Sequence, residues 1–98
     1  MTNLYLNNNM LGSKCGENLA GILTNLVNLK ELNISCNCIG DIPIPLIINP
    51  LKKNTSIESL DLGCNDIGPN SAGYIAAFLS NNRNLKILRL NNTPLTSS

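Results

Sequence analysis

Ile57-Glu58-Ser59-Leu60-Asp61-Leu62-Gly63-Cys64-Asn65-Asp66-Ile67 is the stretch of this 98-residue chain that decides its fold. Leu60 and Leu62 alternate with Asp61, which predicts a short strand with one buried face. The same apolar and asparagine positions recur at a step of 28 residues. The recurring columns are Leu4, Leu32, Leu60 and Leu88; Leu6, Ile34, Leu62 and Leu90; Leu11, Ile39, Ile67 and Leu95; and Asn9, Asn37 and Asn65. A fixed period of this length predicts a solenoid of stacked units.

The residues that follow each predicted strand favour a helix in three of the units. Their apolar residues keep the spacing of one helical face. The stripes are Gly16, Leu19, Ala20 and Leu23; Ile44, Ile47, Ile48 and Leu51; and Ala72, Ile75, Ala76 and Leu79. Asn70 is the expected N-cap of the third helix. Pro50 lies inside the second stripe, where a proline costs about 3 kcal/mol, so we expect that helix to be short, kinked or partly irregular.

The order of these elements predicts the architecture. A strand, a helix and a return to a parallel strand form a right-handed crossover. Because a helix needs about 10 Å of lateral room and a strand about 4.8 Å, the sheet takes the inner side of the curve. We predict one α/β domain over residues 1–98, with repeats at 1–28, 29–56 and 57–84 and a partial repeat at 85–98. It is a right-handed βα solenoid with a four-stranded parallel concave sheet, about five residues per strand, and three convex helices.

The asparagine column explains how each strand ends. The backbone that leaves the sheet there would bury unpaired N–H and C=O groups. A buried amide offers two donors and an acceptor, so it can satisfy that backbone and bridge to the neighbouring repeat. The last unit carries Thr93 in this column, and we expect the loss to be tolerable because no later repeat needs bridging.

The motif Leu29-x-x-Leu32-x-Ile34-x-x-Asn37-x-Ile39 resembles the leucine-rich repeat, and its copy at residues 57–67 does the same. The 28-residue step and the helical Leu19-Ala20-x-x-Leu23 are similar to the ribonuclease-inhibitor-like subfamily. The resemblance covers the whole chain and implies a horseshoe, usually intracellular, that binds proteins through its concave face and rim. Neither end has the polar face of a capping unit, so we expect a fragment of a longer array, with sticky ends that stack chain on chain.

Composition narrows the classes of function. The net charge is +1 and no run of Lys or Arg occurs, so neither nucleic acid nor a membrane is an expected partner. The chain has no histidine, which excludes Ser-His-Asp and Cys-His catalysis within it. We therefore expect no enzyme and no cofactor. The N-terminus lacks a secretory signal, so we expect a cytoplasmic protein.

Three cysteines fall close together in the repeat. Cys36 and Cys64 occupy the same repeat position and should be neighbours on adjacent strands, with Cys38 nearby. Three thiolates without a fourth ligand do not make a structural zinc site. A Cys36–Cys64 disulfide is geometrically conceivable, but thiols in a reducing compartment are the favoured interpretation. Whether the two pair stays open.

Glu31 and Asp61 share the predicted concave face on adjacent strands. By strand spacing they lie roughly 8 Å apart, the separation of an inverting glycosidase pair. A shallow sheet offers no pocket that would raise the pKa of one carboxyl. We interpret both as solvated surface charge.

The concave face holds the candidate site. Its central column is Tyr5, Asn33, Asp61 and Arg89, flanked by Asn3, Glu31, Ser59 and Ile87. Tyr and Arg dominate interface hot spots, and Ile87 has no core reason to be exposed. The candidate partner-binding residues are Tyr5, Glu31, Asn33, Ser59, Asp61, Ile87 and Arg89. We predict a protein–protein interaction module; the alternatives are a regulatory fragment of a GTPase-activating or NOD-like-receptor-type protein, and a structural repeat fragment without its own partner.

Overall fold

The computed structural model describes residues 2–91, in which four short strands alternate with three helices. The strands are β1 (Asn3–Tyr5), β2 (Glu31–Asn33), β3 (Ser59–Asp61) and β4 (Ile87–Arg89). The helices are α1 (Gly16–Asn25), α2 (Ile44–Lys53) and α3 (Pro69–Asn81). The strands form one parallel sheet in the order β1-β2-β3-β4. The helices cover its other face, with α2 in contact with both α1 and α3.

The register of the sheet reproduces the repeat in the sequence. Leu4 pairs with Leu32, Leu32 with Leu60 and Leu60 with Leu88. Leu32 and Leu60 are buried against the helices, while the residues on either side of them face the opposite surface. The predicted right-handed βα solenoid, with a concave parallel sheet and convex helices, is therefore confirmed. Within residues 2–91, no helix is long and apolar enough to cross a membrane.

The strands are three residues long rather than the predicted five. One reason is that a side chain at the strand end folds back onto the backbone: Asp61 Oδ1 accepts the Gly63 N–H at 3.0 Å. A second is that Cys36 and Cys64 adopt left-handed φ angles of 56° and 57°, which end the extended conformation. Neighbouring repeats still pair beyond the strands, since the Cys36 N–H donates to Gly63 O at 2.9 Å.

The predicted role of the asparagine column is confirmed: the side chains of Asn37 and Asn65 form hydrogen bonds with the backbone of the preceding repeat. Asn37 Oδ1 accepts the N–H groups of Asn9 at 2.7 Å and Leu11 at 3.3 Å. Its Nδ2 donates to Leu6 O at 2.8 Å and to Ile34 O at 2.9 Å. The amide of one repeat thus satisfies the backbone of the repeat before it.

Asn65 repeats this arrangement one unit later. Its Oδ1 accepts the Asn37 N–H at 2.7 Å, and its Nδ2 donates to Ile34 O at 2.8 Å. Asn37 and Asn65 are fully buried, whereas Asn9, in the first repeat of the described residues, is exposed. The expectation for the last rung rested on a bridge to the following repeat, whereas the side chains of Asn37 and Asn65 reach back to the preceding one. Thr93, the residue of that expectation, lies outside the described residues, as does Leu95.

A second asparagine position, which the sequence reasoning missed, joins the repeats at the helix-to-strand turn. Asn54 is buried, and its Nδ2 donates to Leu26 O of the preceding repeat at 3.3 Å. Its Oδ1 accepts the Ile57 N–H at 3.1 Å, two residues before β3 begins. Asn82 holds Leu85 in the same way one unit later. The sequence does carry a signal for this position: an asparagine stands three residues before the first apolar residue of the predicted strand in two successive repeats, Asn54 before Ile57 and Asn82 before Leu85.

Helix α2 runs without a break from Ile44 to Lys53, as long as α1, with Pro50 inside it. The expectation of a short or irregular helix is therefore wrong. Its four stripe residues, Ile44, Ile47, Ile48 and Leu51, are at most 1% exposed. Their burial contributes about 6–12 kcal/mol, which outweighs the roughly 3 kcal/mol cost of the proline. Pro43 stands at the N-cap and Pro45 in the first turn, where proline is tolerated.

Helix α3 buries a different face from the predicted one. Its buried residues are Ser71, Ile75 and Phe78, whereas Ala76 is exposed and Leu79 is 38% exposed. Leu23 and Leu51 occupy the Leu79 position in α1 and α2 and are buried, because a further helix lies beside each of them. No helix follows α3 within residues 2–91. The predicted end-to-end stacking, for which Leu79 offers apolar surface, stays a prediction.

The start of α3 depends on the repeat before it. The N-cap is Gly68, not the predicted Asn70, which lies exposed within the first turn. Asp41 supplies the missing acceptor: its Oδ1 accepts the Gly68 N–H at 2.8 Å and the Ser71 hydroxyl at 2.5 Å. A carboxylate at this end also complements the helix dipole.

We expect Asp41→Ala to lower the free energy of unfolding by about 1–2 kcal/mol, because it removes a cap and strands the buried Ser71 hydroxyl. Asp41→Asn keeps an oxygen acceptor and should cost clearly less. Urea denaturation of both variants measures the difference. Equal losses for the two variants would mean that the acceptor at this position does not cap α3.

Candidate functional site

The sheet brings all seven candidate residues together around one depression of about 260 Å³ on its concave face. Pairing in register produces this arrangement: Tyr5 lies opposite Asn33, Asn33 opposite Asp61, and Asp61 opposite Arg89. In the flanking column, Glu31 pairs with Ser59 and Ser59 with Ile87. The depression is lined by Tyr5, Glu31, Leu32, Asn33, Ser59, Asp61, Ile87 and Arg89. The sequence thus predicted the shared surface; that it binds a partner stays a prediction.

Tyr5 is tied to the neighbouring strand. Its hydroxyl donates a hydrogen bond to Glu31 Oε2 at 2.5 Å. This hydrogen bond raises the pKa of Tyr5, since it is lost when the phenol ionises. The side chain is nevertheless 56% exposed. The hydrogen bond therefore restricts the orientation of an exposed aromatic ring, and a restricted side chain loses less entropy when a surface of this kind is covered.

Asn33 and Asp61 form the floor of the depression and also shape the strand ends. Asn33 Oδ1 accepts the N–H of Ser35 at 3.0 Å and its hydroxyl at 2.7 Å. Asp61 Oδ1 accepts the Gly63 N–H. Both side chains are half-buried. Alanine at either position therefore disturbs local backbone as well as the surface, and Asp61→Asn is the cleaner probe of the charge.

Ile87 and Arg89 supply the β4 side of the depression. Ile87 is 45% exposed, and Arg89 is exposed beside it. Within residues 2–91 the one ion pair joins Lys86 to exposed Glu58 at 3.9 Å, so Arg89 forms none there. Its guanidinium is available for a carboxylate of another molecule.

The acidic pair and the cysteines are not gathered into a metal-binding cluster in the described part of the chain. Glu31 already accepts the Tyr5 hydroxyl, and no histidine is present to act as a general base. Residues 2–91 contain no cluster of three or more His, Cys, Asp or Glu side chains that could hold a metal ion. Cys36 and Cys64 are neighbours, as predicted, and are present as thiols.

A second depression, which the sequence reasoning did not find, lies on the helix side. It measures about 300 Å³ and is lined by Ala20, Leu23, Thr24, Val27, Leu46, Asn49, Pro50, Lys53 and Asn54. Leu46 and Val27 are exposed there. Neither belongs to an apolar stripe, so the helical periodicity gave no signal for this groove.

Comparisons with known proteins agree with this architecture. The sequence profile of the family described as Leucine Rich repeat matches residues 25–42 and 53–76. A search of curated proteins finds no significant match. A solved structure described as Leiomodin-1 Actin-Binding Site 2 (ABS2) superposes with a TM-score of 0.80 and 27% sequence identity. The match covers 95% of this chain and 54% of that chain, so this chain spans about half of its length.

Proposed function

We propose that this chain, which has the fold of a leucine-rich repeat solenoid, is a protein-interaction module that binds a protein partner through the concave depression and performs no catalysis. One observation supports this most: a hydrogen-bonded tyrosine, an exposed isoleucine and an arginine without an ion pair to residues 2–91 line the same 260 Å³ depression. Tyr and Arg are the residue types that contribute most to protein interfaces. The proposal includes a cytoplasmic location and the ribonuclease-inhibitor-like subfamily, for which the 28-residue step is the support.

The charges of the depression indicate the chemistry of the partner surface. Arg89 favours a carboxylate on the partner, because its planar guanidinium can bind a carboxylate through two hydrogen bonds. Asp61, on the adjacent strand, is half-buried and can accept a hydrogen bond from a donor of the partner. We expect the partner to present an acidic and a donor group close together, beside an apolar group for Ile87.

The size of the face limits the affinity. Four strands of three residues cover about 10 by 19 Å, or roughly 200–400 Å² with side-chain relief. A stable interface needs about 800 Å² on each partner. This chain alone should therefore bind weakly, and the short strands make its face smaller than the predicted five-residue strands would.

Actin is the first partner to test. The structure that resembles this chain is described as an actin-binding site, and the likeness extends over 95% of this chain. The 27% sequence identity supports the choice of probe. Substitutions of the concave residues then test whether any binding uses the proposed surface.

We expect Tyr5→Ala and Arg89→Ala each to weaken binding by about 1–2 kcal/mol, roughly 5- to 30-fold, because each removes an anchor from a small interface. Asp61→Asn should weaken it less, since only the charge is lost. Lys52→Ala and Lys53→Ala, exposed at the end of α2, are the controls and should leave affinity unchanged. Fluorescence anisotropy with purified monomeric actin measures all five variants.

Two outcomes count against the proposal in different ways. If wild-type chain shows no binding to monomeric or filamentous actin, actin is not the partner. If a partner binds and the Lys52 and Lys53 variants lose affinity while the Tyr5 and Arg89 variants keep it, the recognition surface lies on the helix side. The concave assignment is then wrong.

A further inference from the structure

Cys36 and Cys64 form a close pair of thiols outside the depression. They occupy the same position in consecutive repeats and share the same left-handed backbone conformation, with φ of 56° and 57°. The Cys36 N–H donates to Gly63 O at 2.9 Å, so the two repeats are paired at this point. Both side chains are exposed, and the two thiols are joined by a hydrogen bond.

We propose that Cys36 and Cys64 are an oxidisable dithiol that a low-molecular-weight disulfide, such as oxidised glutathione, converts into a disulfide between consecutive repeats. Paired neighbouring strands lie about 4.8 Å apart, and the Cα atoms of a disulfide are usually about 4.4–6.8 Å apart. Because the two residues have the same backbone conformation, their side chains leave the chain in the same direction. Parallel side chains at this spacing leave the Cβ atoms about 4.8 Å apart, so closing the bond needs a local approach of less than about 2 Å toward the roughly 3.5–4.5 Å of a disulfide.

The exchange proceeds in two steps that balance. The thiolate of Cys64 attacks one sulfur of oxidised glutathione; the glutathione S–S bond breaks and one glutathione thiolate leaves and takes up a proton. The sulfur of Cys36 then loses its proton, attacks the Cys64 sulfur of the mixed disulfide and displaces the second glutathione. The protein gives up two hydrogen atoms, and one oxidised glutathione becomes two reduced molecules.

The order of the two cysteines follows from their hydrogen bond. The Cys36 thiol is held next to Cys64, and that hydrogen bond, with the nearby Cys64 and Asp61 charges, raises the pKa of Cys36. The raised pKa makes Cys36 the less reactive thiol of the two, which favours it for the second step. Its proximity to Cys64 makes the second step intramolecular and fast.

The other two cysteines serve as internal controls. Cys15 is buried at the N-cap of α1, 6% exposed, and faces the core. Cys38 is exposed, but the same position in the neighbouring repeats holds Met10 and Asp66 rather than cysteine. Only Cys36 and Cys64 therefore have a thiol at the matching position of an adjacent repeat.

Mass spectrometry of the intact 98-residue chain, equilibrated with mixtures of oxidised and reduced glutathione, tests this proposal. After alkylation, trypsin releases residues 31–52, which carry Cys36 and Cys38, and residues 54–83, which carry Cys64. We expect one cross-link between these two peptides, formed within a monomer. It should persist in Cys15→Ser and Cys38→Ser and disappear in Cys36→Ser and Cys64→Ser.

Several results would overturn the proposal: a cross-link that survives in Cys36→Ser, glutathione adducts without a cross-link, cross-links only between two chains, or no reaction at any glutathione ratio. Should a serine variant fail to fold, fragmentation of the wild-type cross-linked peptide still identifies its partner as Cys36 or Cys38. The oxidised wild-type chain should also melt at a higher temperature than the reduced chain, because the disulfide restrains the unfolded state. Cys64→Ser should show no such shift.

Discussion

Phe78→Ala should lower the free energy of unfolding by about 3–5 kcal/mol, the usual cost of removing a fully buried phenylalanine. Phe78 is the largest fully buried side chain of the described residues and belongs to the hydrophobic core. Its removal leaves a cavity in the core that its packed neighbours fill only in part. Urea denaturation followed by circular dichroism measures the loss.

Leu79→Ala is the matched control for this prediction. Leu79 is the next residue along the same helix, is also large and apolar, and is 38% exposed. We expect it to cost less than about half as much, because less apolar surface leaves water when the chain folds. A larger loss for Leu79 than for Phe78 would show that α3 buries the face predicted from the repeat pattern instead.

Asn37→Ala should cost about 1–3 kcal/mol, because it removes hydrogen bonds from partly and fully buried backbone groups in two repeats at once. The N–H groups of Asn9 and Leu11 lose their acceptor, and the carbonyls of Leu6 and Ile34 lose a donor. Asn65→Ala should cost a similar amount for the same reason. Thermal and urea denaturation of the single variants measure these losses.

Asn9→Ala is the sharpest control, because Asn9 belongs to the same column and carries the same amide. It is exposed, and within residues 2–91 its side chain donates to Asn7 O, two residues away, rather than to another repeat. We expect a change within about 0.5 kcal/mol, as for an ordinary surface substitution. Asn33→Ala should fall between the two, since Asn33 holds Ser35 but bridges no repeat. Equal losses of unfolding free energy for Asn9→Ala and Asn37→Ala would show that the hydrogen bonds between repeats made by the asparagine column do not stabilise the fold.

The sheet was predictable from the sequence because it depends only on which residues are equivalent, and the 28-residue step identifies them. Once Leu32, Leu60 and Leu88 are known to be equivalent, their pairing in register follows. The same reasoning places Tyr5 and Arg89 on one surface. That surface therefore became visible in the sequence before any contact was known.

Features that depend on a residue's particular neighbours were not predictable in this way. Asp41 accepts a hydrogen bond at the start of the helix in the following repeat. The equivalent position one repeat later is Pro69, so aspartate does not recur there and the repeat pattern could not predict this contact. The exposure of Leu79 depends on whether a helix lies beyond α3, not on its own helix. Pro50 lies inside α2 although proline disfavours a helix interior, because the free energy gained by burying the apolar face of α2 is larger than the cost of the proline.

The depth of the candidate site was also hidden from the sequence. The columns place Tyr5 and Glu31 on adjacent strands, but the hydrogen bond between them depends on rotamers. The groove between α1 and α2 forms from residues such as Val27 and Leu46 that follow no apolar period. Periodicity reports which residues share a face; side-chain packing decides what that face can hold.

The central claim is that the concave face recognises a protein, and amide NMR spectra of the labelled chain titrated with monomeric actin test it most directly. The account predicts that signals weaken first along β1 to β4, above all at Tyr5, Asp61 and Arg89, while those of α1 and α2 keep their intensity. Loss confined to the α1–α2 groove, with Val27 and Leu46 affected and the strands unchanged, would contradict it.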